Sequence, residues 1–200
     1  MKVLEFRFLS DNEKYDLESY NDGNAWSRIY EYKLAEDFLK KNMDKNSRVH
    51  NSAWGFEGIH IAFRNKIDEI CSCLHSDIVG NKHNLFTYNY DLLGEDKKLN
   101  NKFDCVLNIS VLEHLGSFEK TKKAILNLYS QVKNGGYLYC TFDYPRVNLE
   151  ELEKMLSSKC SIPENKLNGN NSKQPNSKYL NLNVVLLVIK RDDDVWESKL

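Results

Sequence analysis

His114 directly follows Glu113, on a loop that leaves the apolar run 103–110. An imidazole titrates near neutral pH, so His114 can take a proton from an attacking hydroxyl; a hydrogen-bonded structural role is the alternative. Two carboxylates stand at the ends of other β-prone stretches, Asp77 in 69–78 and Asp91 after 85–90. A carboxylate there can accept two hydroxyls at once or cap a turn. Gly55 and Gly58 follow a short strand-like stretch, and glycine lets a backbone approach a ligand closely. Arg28 suits a carboxylate partner, and the neighbouring rings of Tyr30 and Tyr32 can stack on a ligand; an amphipathic helix covering a sheet is the plainer use. The run Asp192-Asp193-Asp194 invites a metal, but a solvated charge run on the chain terminus is the better reading.

These residues need elements to position them. Apolar residues at Ile29, Tyr32, Leu34, Ala35, Phe38 and Leu39 fit a helix face that ends before Asn46-Ser47. Residues 48–53 read as a strand, 59–67 as a helix, 69–78 as a second strand and 85–90 as a third. The run 103–110 reads as a buried strand. Residues 118–132 have helical spacing, with Asn134-Gly135-Gly136 as the stop. Residues 137–142 form another strand, 149–156 a short helix, and 183–190 (NVVLLVIK) the most β-prone stretch of the chain. Residues 1–25 offer a turn at Asn21-Asp22-Gly23 and no regular element, and 161–178 read as a long loop. Alternating strands and helices predict an α/β fold: a Rossmann-like, mostly parallel sheet flanked by helices. Ligands then sit beyond the carboxyl ends of the strands. The chain divides into an N-terminal helical or lid segment, 1–45, an α/β domain, 46–192, and a charged tail, 193–200.

The 200 residues suit one core. Lys plus Arg number 28 and Asp plus Glu 29, a net charge of −1 that gives no electrostatic reason to expect a nucleic-acid partner. No apolar run approaches the roughly 20 residues of a membrane span. The first ten residues lack the apolar block of a signal peptide, so the default compartment is cytoplasmic. Five scattered cysteines are not a disulfide framework. The pair Cys71 and Cys73 would share one face of a strand, and no second pair or nearby histidines complete a metal set.

The segment 103–115 (FDCVLNISVLEHL) resembles the fourth strand and following turn of the class I S-adenosylmethionine-dependent methyltransferases, often F-D-x-V then S-x-x-L-E-H. About twenty residues later, 131–138 (QVKNGGYL) resembles that family's L-K-P-G-G-x-L element, with Asn134 replacing proline. Residues 48–55 occupy the place of its first strand and glycine-rich loop, and 183–190 resembles its last, antiparallel strand. The likeness covers roughly residues 26 to 190. It implies S-adenosylmethionine as cofactor, with contacts from Asn51, Ala53, Gly55, Asp77, Asp91, Asn108, Ile109 and Ser110. On this resemblance Asp77 holds the ribose hydroxyls, with Glu69 or His75 if the strand register shifts. Asp91 sits near the adenine amino group, and 108–110 line the cofactor mainly through backbone. Tyr144 would sit at the pocket mouth, while His50 and His60 flank the loop. The loop is degenerate: Asn51 stands where an acid is common, and Ala53-Trp54 where glycine and a small residue are common.

The resemblance implies O-methylation of a small molecule or sugar, a surface-polysaccharide precursor being favoured by the turn at Leu167-Asn168-Gly169-Asn170 and the final strand. His114 is the candidate catalytic base. The depleted glycine loop supports the alternative, a catalytically inactive methyltransferase-like binding or scaffold protein. A nucleotide-binding oxidoreductase is disfavoured because no G-x-G-x-x-G follows the first strand. A homodimer is open to a chain of this size, although no segment shows how it would form.

Overall fold

The computed structural model describes residues 1–9, 13, 28–55, 59–81, 85–158, 162 and 183–192. Its elements are β1 (Lys2–Phe8), α1 (Arg28–Asn42), β2 (Arg48–Ser52), α2 (Ile59–Ile70), β3 (Ser72–Asp77), β4 (Tyr88–Asn89), β5 (Phe103–Ile109), α3 (Phe118–Gln131), β6 (Val132–Tyr144), α4 (Leu149–Ser157) and β7 (Asn183–Lys190). A single 3-10 turn, Leu112–His114, follows β5.

The seven strands form one sheet in the order β1-β7-β6-β5-β2-β3-β4. Strands β2 to β6 pair in parallel, and β7 is antiparallel to both of its neighbours. The β7 sequence explains its interior place between β1 and β6. Alternation sends Val184, Leu186 and Val188 to one face and Val185, Leu187 and Ile189 to the other, and both faces are covered. Helices α1 and α2 pack on the first face through Tyr32, Ala35, Leu39, Phe63 and Ile67. Helices α3 and α4 pack on the second through Ala124, Ile125, Leu128, Leu152 and Leu156, at helical spacing. Ser117 caps α3 by accepting from the Lys120 amide, and Asn148 caps α4 by accepting from Glu151. No helix among the described residues is long and apolar enough to cross a membrane.

The structure departs from the sequence expectations in several places, among them the strand expected at 137–142, which runs Val132–Tyr144. Lys2–Phe8 is a strand; its charged residues Lys2, Glu5 and Arg7 suit a sheet edge, with β7 as its partner. The second strand starts at Ser72, not 69, because Ile67 continues the buried stripe of α2 and the helix runs to Ile70. Cys71 therefore lies in the link before β3, although both thiols still pack on the α1–α2 side. The third strand shrinks to Tyr88–Asn89, which pair with Ser76 and Asp77 at the very end of β3. Helix α3 stops at Gln131, before Asn134-Gly135-Gly136; Gly135 and Gly136 instead exchange backbone hydrogen bonds with Arg191 beyond β7.

Candidate functional site

Strands β2, β3 and β5 run in parallel and end at the same level, which leaves a cavity of about 300 Å³ beyond their carboxyl ends. Asn51 and the turn 53–55 wall it from β2, Asp77 and Ile78 from β3, and Ile109, Ser110 and Val111 from β5. Arg28 and Tyr32 reach it from α1, and His60 and Phe63 from α2. Two sharp turns shape it. Ala53 has φ 53° and Ser110 has φ 49°, both in the left-handed region that side chains with a Cβ seldom adopt.

Gly55 has φ 76°, and a Cβ on it would stand 2.9 Å from the His60 ring. The glycine is thus required first by the packing of His60. His60 Nδ1 in turn is hydrogen-bonded to the Tyr32 hydroxyl, and Tyr32 stacks flat on Phe63 at 4.1 Å. Burial holds the Tyr32 phenol well above its ordinary value, so the phenol stays protonated. Trp54 is tied into the wall: its indole N–H donates to Thr87 Oγ1 at 3.2 Å, and the Arg64 guanidinium lies 4.7 Å from its ring.

Asn51, Ala53, Gly55, Asp77, Ile109 and Ser110 line the cavity. The Asn51 amide is held by His75 Nδ1 at 3.2 Å, whose Nε2 faces Asp68 at 2.9 Å. Asp77 is mostly buried, and its Oδ1 accepts from the Val79 amide at 3.2 Å. Asn108 lies beneath the floor, fully buried, donating to Ser52 Oγ at 3.0 Å and so tying β5 to β2. Asp91 is exposed outside the cavity, where its Oδ1 accepts from the Leu93 amide in a turn. His114 also lies outside the cavity, with its side chain 61% exposed and its Nε2 4.0 Å from Glu113 Oε1. His50 is buried in the sheet between Gln131 and Ser76. Trp26, Ser27, Gly58, Cys160, the turn 167–170 and Asp193-Asp194 lie outside the described residues.

The sequence reading gave Glu31, within Arg28-x-x-Glu31-Tyr32, no role of its own. Its side chain is fully buried. One carboxylate oxygen accepts from Ser110 Oγ at 2.6 Å and Thr141 Oγ1 at 2.7 Å, and the other from the Arg28 guanidinium at 2.6 Å. Glu113 and Asp143 are its acidic neighbours, 6% and 5% exposed. Burial, then the nearby carboxylates, pushes Glu113 up to about 8 and Asp143 up to about 7. The spacing Arg28-x-x-Glu31 was the available signal, since i,i+3 residues share a helix face.

No family model matches the sequence, and no curated protein matches it. Solved structures do. The N-methyltransferase NodS from Bradyrhizobium japonicum WM9, in complex with S-adenosyl-l-homocysteine, aligns at TM-score 0.55 and 13% identity over 88% of this chain and 96% of that one. A 1,6-didemethyltoxoflavin-N1-methyltransferase from Burkholderia thailandensis aligns at TM-score 0.55 and 13% identity over 88% and 85%. The CurJ carbon methyltransferase aligns at TM-score 0.56 and 14% identity, over 89% of this chain but 59% of its own length. At such identities the likeness is one of fold. With its strand order, its single inserted antiparallel strand and its cavity at the strand ends, the chain has the fold of the class I S-adenosylmethionine-dependent methyltransferases.

Proposed function

We propose that the protein is an S-adenosylmethionine-dependent methyltransferase acting on a small-molecule or sugar acceptor. The observation that carries the reading is the convergence of Asp77, Asn51, Ser110 and Arg28 on one cavity at the strand ends. The residues suit the cofactor's chemistry. The Asp77 carboxylate suits vicinal ribose hydroxyls, and the exposed apolar side chain of Ile78 suits the face of a purine. Arg28 suits an α-carboxylate, and Asn51 can hydrogen-bond the methionine part. When bound, the cofactor supplies an electrophilic methyl group on a sulfonium. The chain's own residues bind and orient it, and alignment of the acceptor supplies most of the acceleration.

The resemblance of the sequence supports a hydroxyl acceptor on a surface-polysaccharide precursor, with His114 as a base reached from the exposed side of the 3-10 turn. Isothermal titration with S-adenosylmethionine and S-adenosylhomocysteine tests the reading. Micromolar binding, about −8 kcal/mol, weakened at least tenfold by Asp77→Ala, is the expected result. No heat and an unchanged melting temperature would sink it. That outcome would leave the non-catalytic binding protein, the reading that the Ala53-Trp54 turn supports.

A further inference from the structure

We infer that Asp68 of α2, with Cys73 and His75 of β3, binds a divalent cation of the zinc class, at a site that does not depend on the methyltransferase reading. The sequence pairs Cys73 with Cys71 and gives neither thiol a full ligand set. The fold supplies one. Residues 73 and 75 share one face of β3, and α2 packs against β3 so that Asp68 joins them. Cys73 Sγ lies 3.9 Å from His75 Nδ1, and His75 Nε2 lies 2.9 Å from Asp68 Oδ1. One sulfur, one ring nitrogen and one carboxylate oxygen all lie within 4.8 Å of one another. Tetrahedral zinc, with bonds of about 2.0–2.3 Å, holds such ligands about 3.3–3.6 Å apart. Small side-chain rotations, easiest at the half-exposed Asp68, close the set.

The donor set selects the ion. A thiolate, an imidazole and a single carboxylate suit zinc and its neighbours in the first transition row, whereas calcium and magnesium take about six or more oxygens. An ion can enter from solvent, because the Asp68 side chain is 45% exposed and Cys73 is half-buried. Three protein ligands leave a fourth position for water on that open side. The inner ligand is fixed: the His75 side chain is buried, and the Asn51 amide lies 3.2 Å from its Nδ1, the kind of outer partner that orients a ligating ring. Arg64, stacked over Trp54 at 4.7 Å, is the cation that faces Cys73 and His75, and its charge favours the thiolate over the thiol. On binding, the thiol proton passes to solvent and the ion replaces the hydrogen bond between His75 and Asp68. Asn51 also lines the cavity at the strand ends, so an ion on the His75 ring stiffens one wall of that cavity.

The test uses the full chain, freed of metal by dialysis against a chelator, with Zn²⁺ and Co²⁺ as probes. Calorimetry should show uptake of one equivalent of Zn²⁺ with micromolar or tighter affinity. Co²⁺ should give the near-ultraviolet charge-transfer band of a cobalt–thiolate bond, together with the strong visible absorption of a tetrahedral site. Cys73→Ala should remove the charge-transfer band, and Cys71→Ala should retain it. Asp68→Asn and His75→Gln should each weaken Zn²⁺ at least tenfold. If Cys73→Ala or His75→Gln melts early, Asp68→Asn carries the test, since its side chain is half-exposed and the fold should survive. No stoichiometric uptake, no charge-transfer band, a band that persists in Cys73→Ala or vanishes in Cys71→Ala, or unchanged affinity in Asp68→Asn overturns the inference. None of these readouts uses S-adenosylmethionine, so failure here leaves the methyltransferase reading standing, and failure of that reading leaves the metal site.

Discussion

Ser110 donates its hydroxyl to Glu31 at 2.6 Å, joining the end of β5 to the first turn of α1 across 79 residues of sequence. The bond forms because Ser110 leaves β5 with φ 49°, which ends the strand in a tight turn beside α1. One residue thus lines the cavity and secures the buried carboxylate behind it.

Ser110→Ala removes a hydrogen bond to a buried carboxylate while leaving Thr141 and Arg28 in place. A bond of that kind contributes about 1.5–3 kcal/mol. Urea unfolding should show a loss of that size. A change below about 0.5 kcal/mol would mean that water or the remaining donors replace the hydroxyl.

His50 carries the acid sensitivity. Both ring nitrogens are in use, with Gln131 Oε1 and Ser76 Oγ each at 2.6 Å, and burial lowers its pKa to about 4. Above pH 6.5 the group is neutral in both states. From 6.5 down to about 4 the unfolded chain binds a proton that the folded chain refuses, so folding loses about 1.4 kcal/mol per pH unit from this group. The stability gap between wild type and His50→Gln should therefore narrow by about 2–3 kcal/mol over that window, read by denaturant titration at several pH values. A constant gap would refute it.

Glu113 has the opposite sign. Its pKa is raised from 4.5 to about 8, so between these values the folded chain keeps a proton that the unfolded chain has lost. Its contribution is complete at low pH and is lost as pH rises to about 8. Glu113→Gln should gain on wild type by about 1.4 kcal/mol per pH unit as pH rises through that window. Parallel pH profiles for the two proteins would show that Glu113 ionises as readily folded as unfolded.

The turn after β2 permits a paired test. Gly55→Ala would put a Cβ 2.9 Å from the His60 ring at φ 76°, and should cost about 1–3 kcal/mol. Ala53→Gly relieves a Cβ at φ 53° and should gain about 0.5 kcal/mol after the added chain entropy is subtracted. Melting temperatures that move the same way for both would contradict this account of the loop.

The strongest sequence signals were those of local pattern. NVVLLVIK determined β7 with both bounds, because six consecutive apolar residues, four of them β-branched, between Asn183 and Lys190 suit a strand buried on both faces. Alternation of strands with helical stretches determined the α/β class, and the run 103–115 with 131–138 determined the kinship in fold. The sequence also placed Asn51, Ala53, Gly55, Asp77, Ile109 and Ser110 at or just past the carboxyl ends of their strands. Parallel strands end together, so these residues share one cavity. Strand β1 was not legible, since its charges hide a period of two and its partner β7 lies at the other end of the chain. Nor was the burial of Glu31, Glu113 and Asp143. Each of the three reads alone as an ordinary surface acid. Only the packing of α1 over the ends of β5 and β6 removes them from water and gives them their chemistry, because desolvation depends on what covers a group and not on its neighbours in sequence.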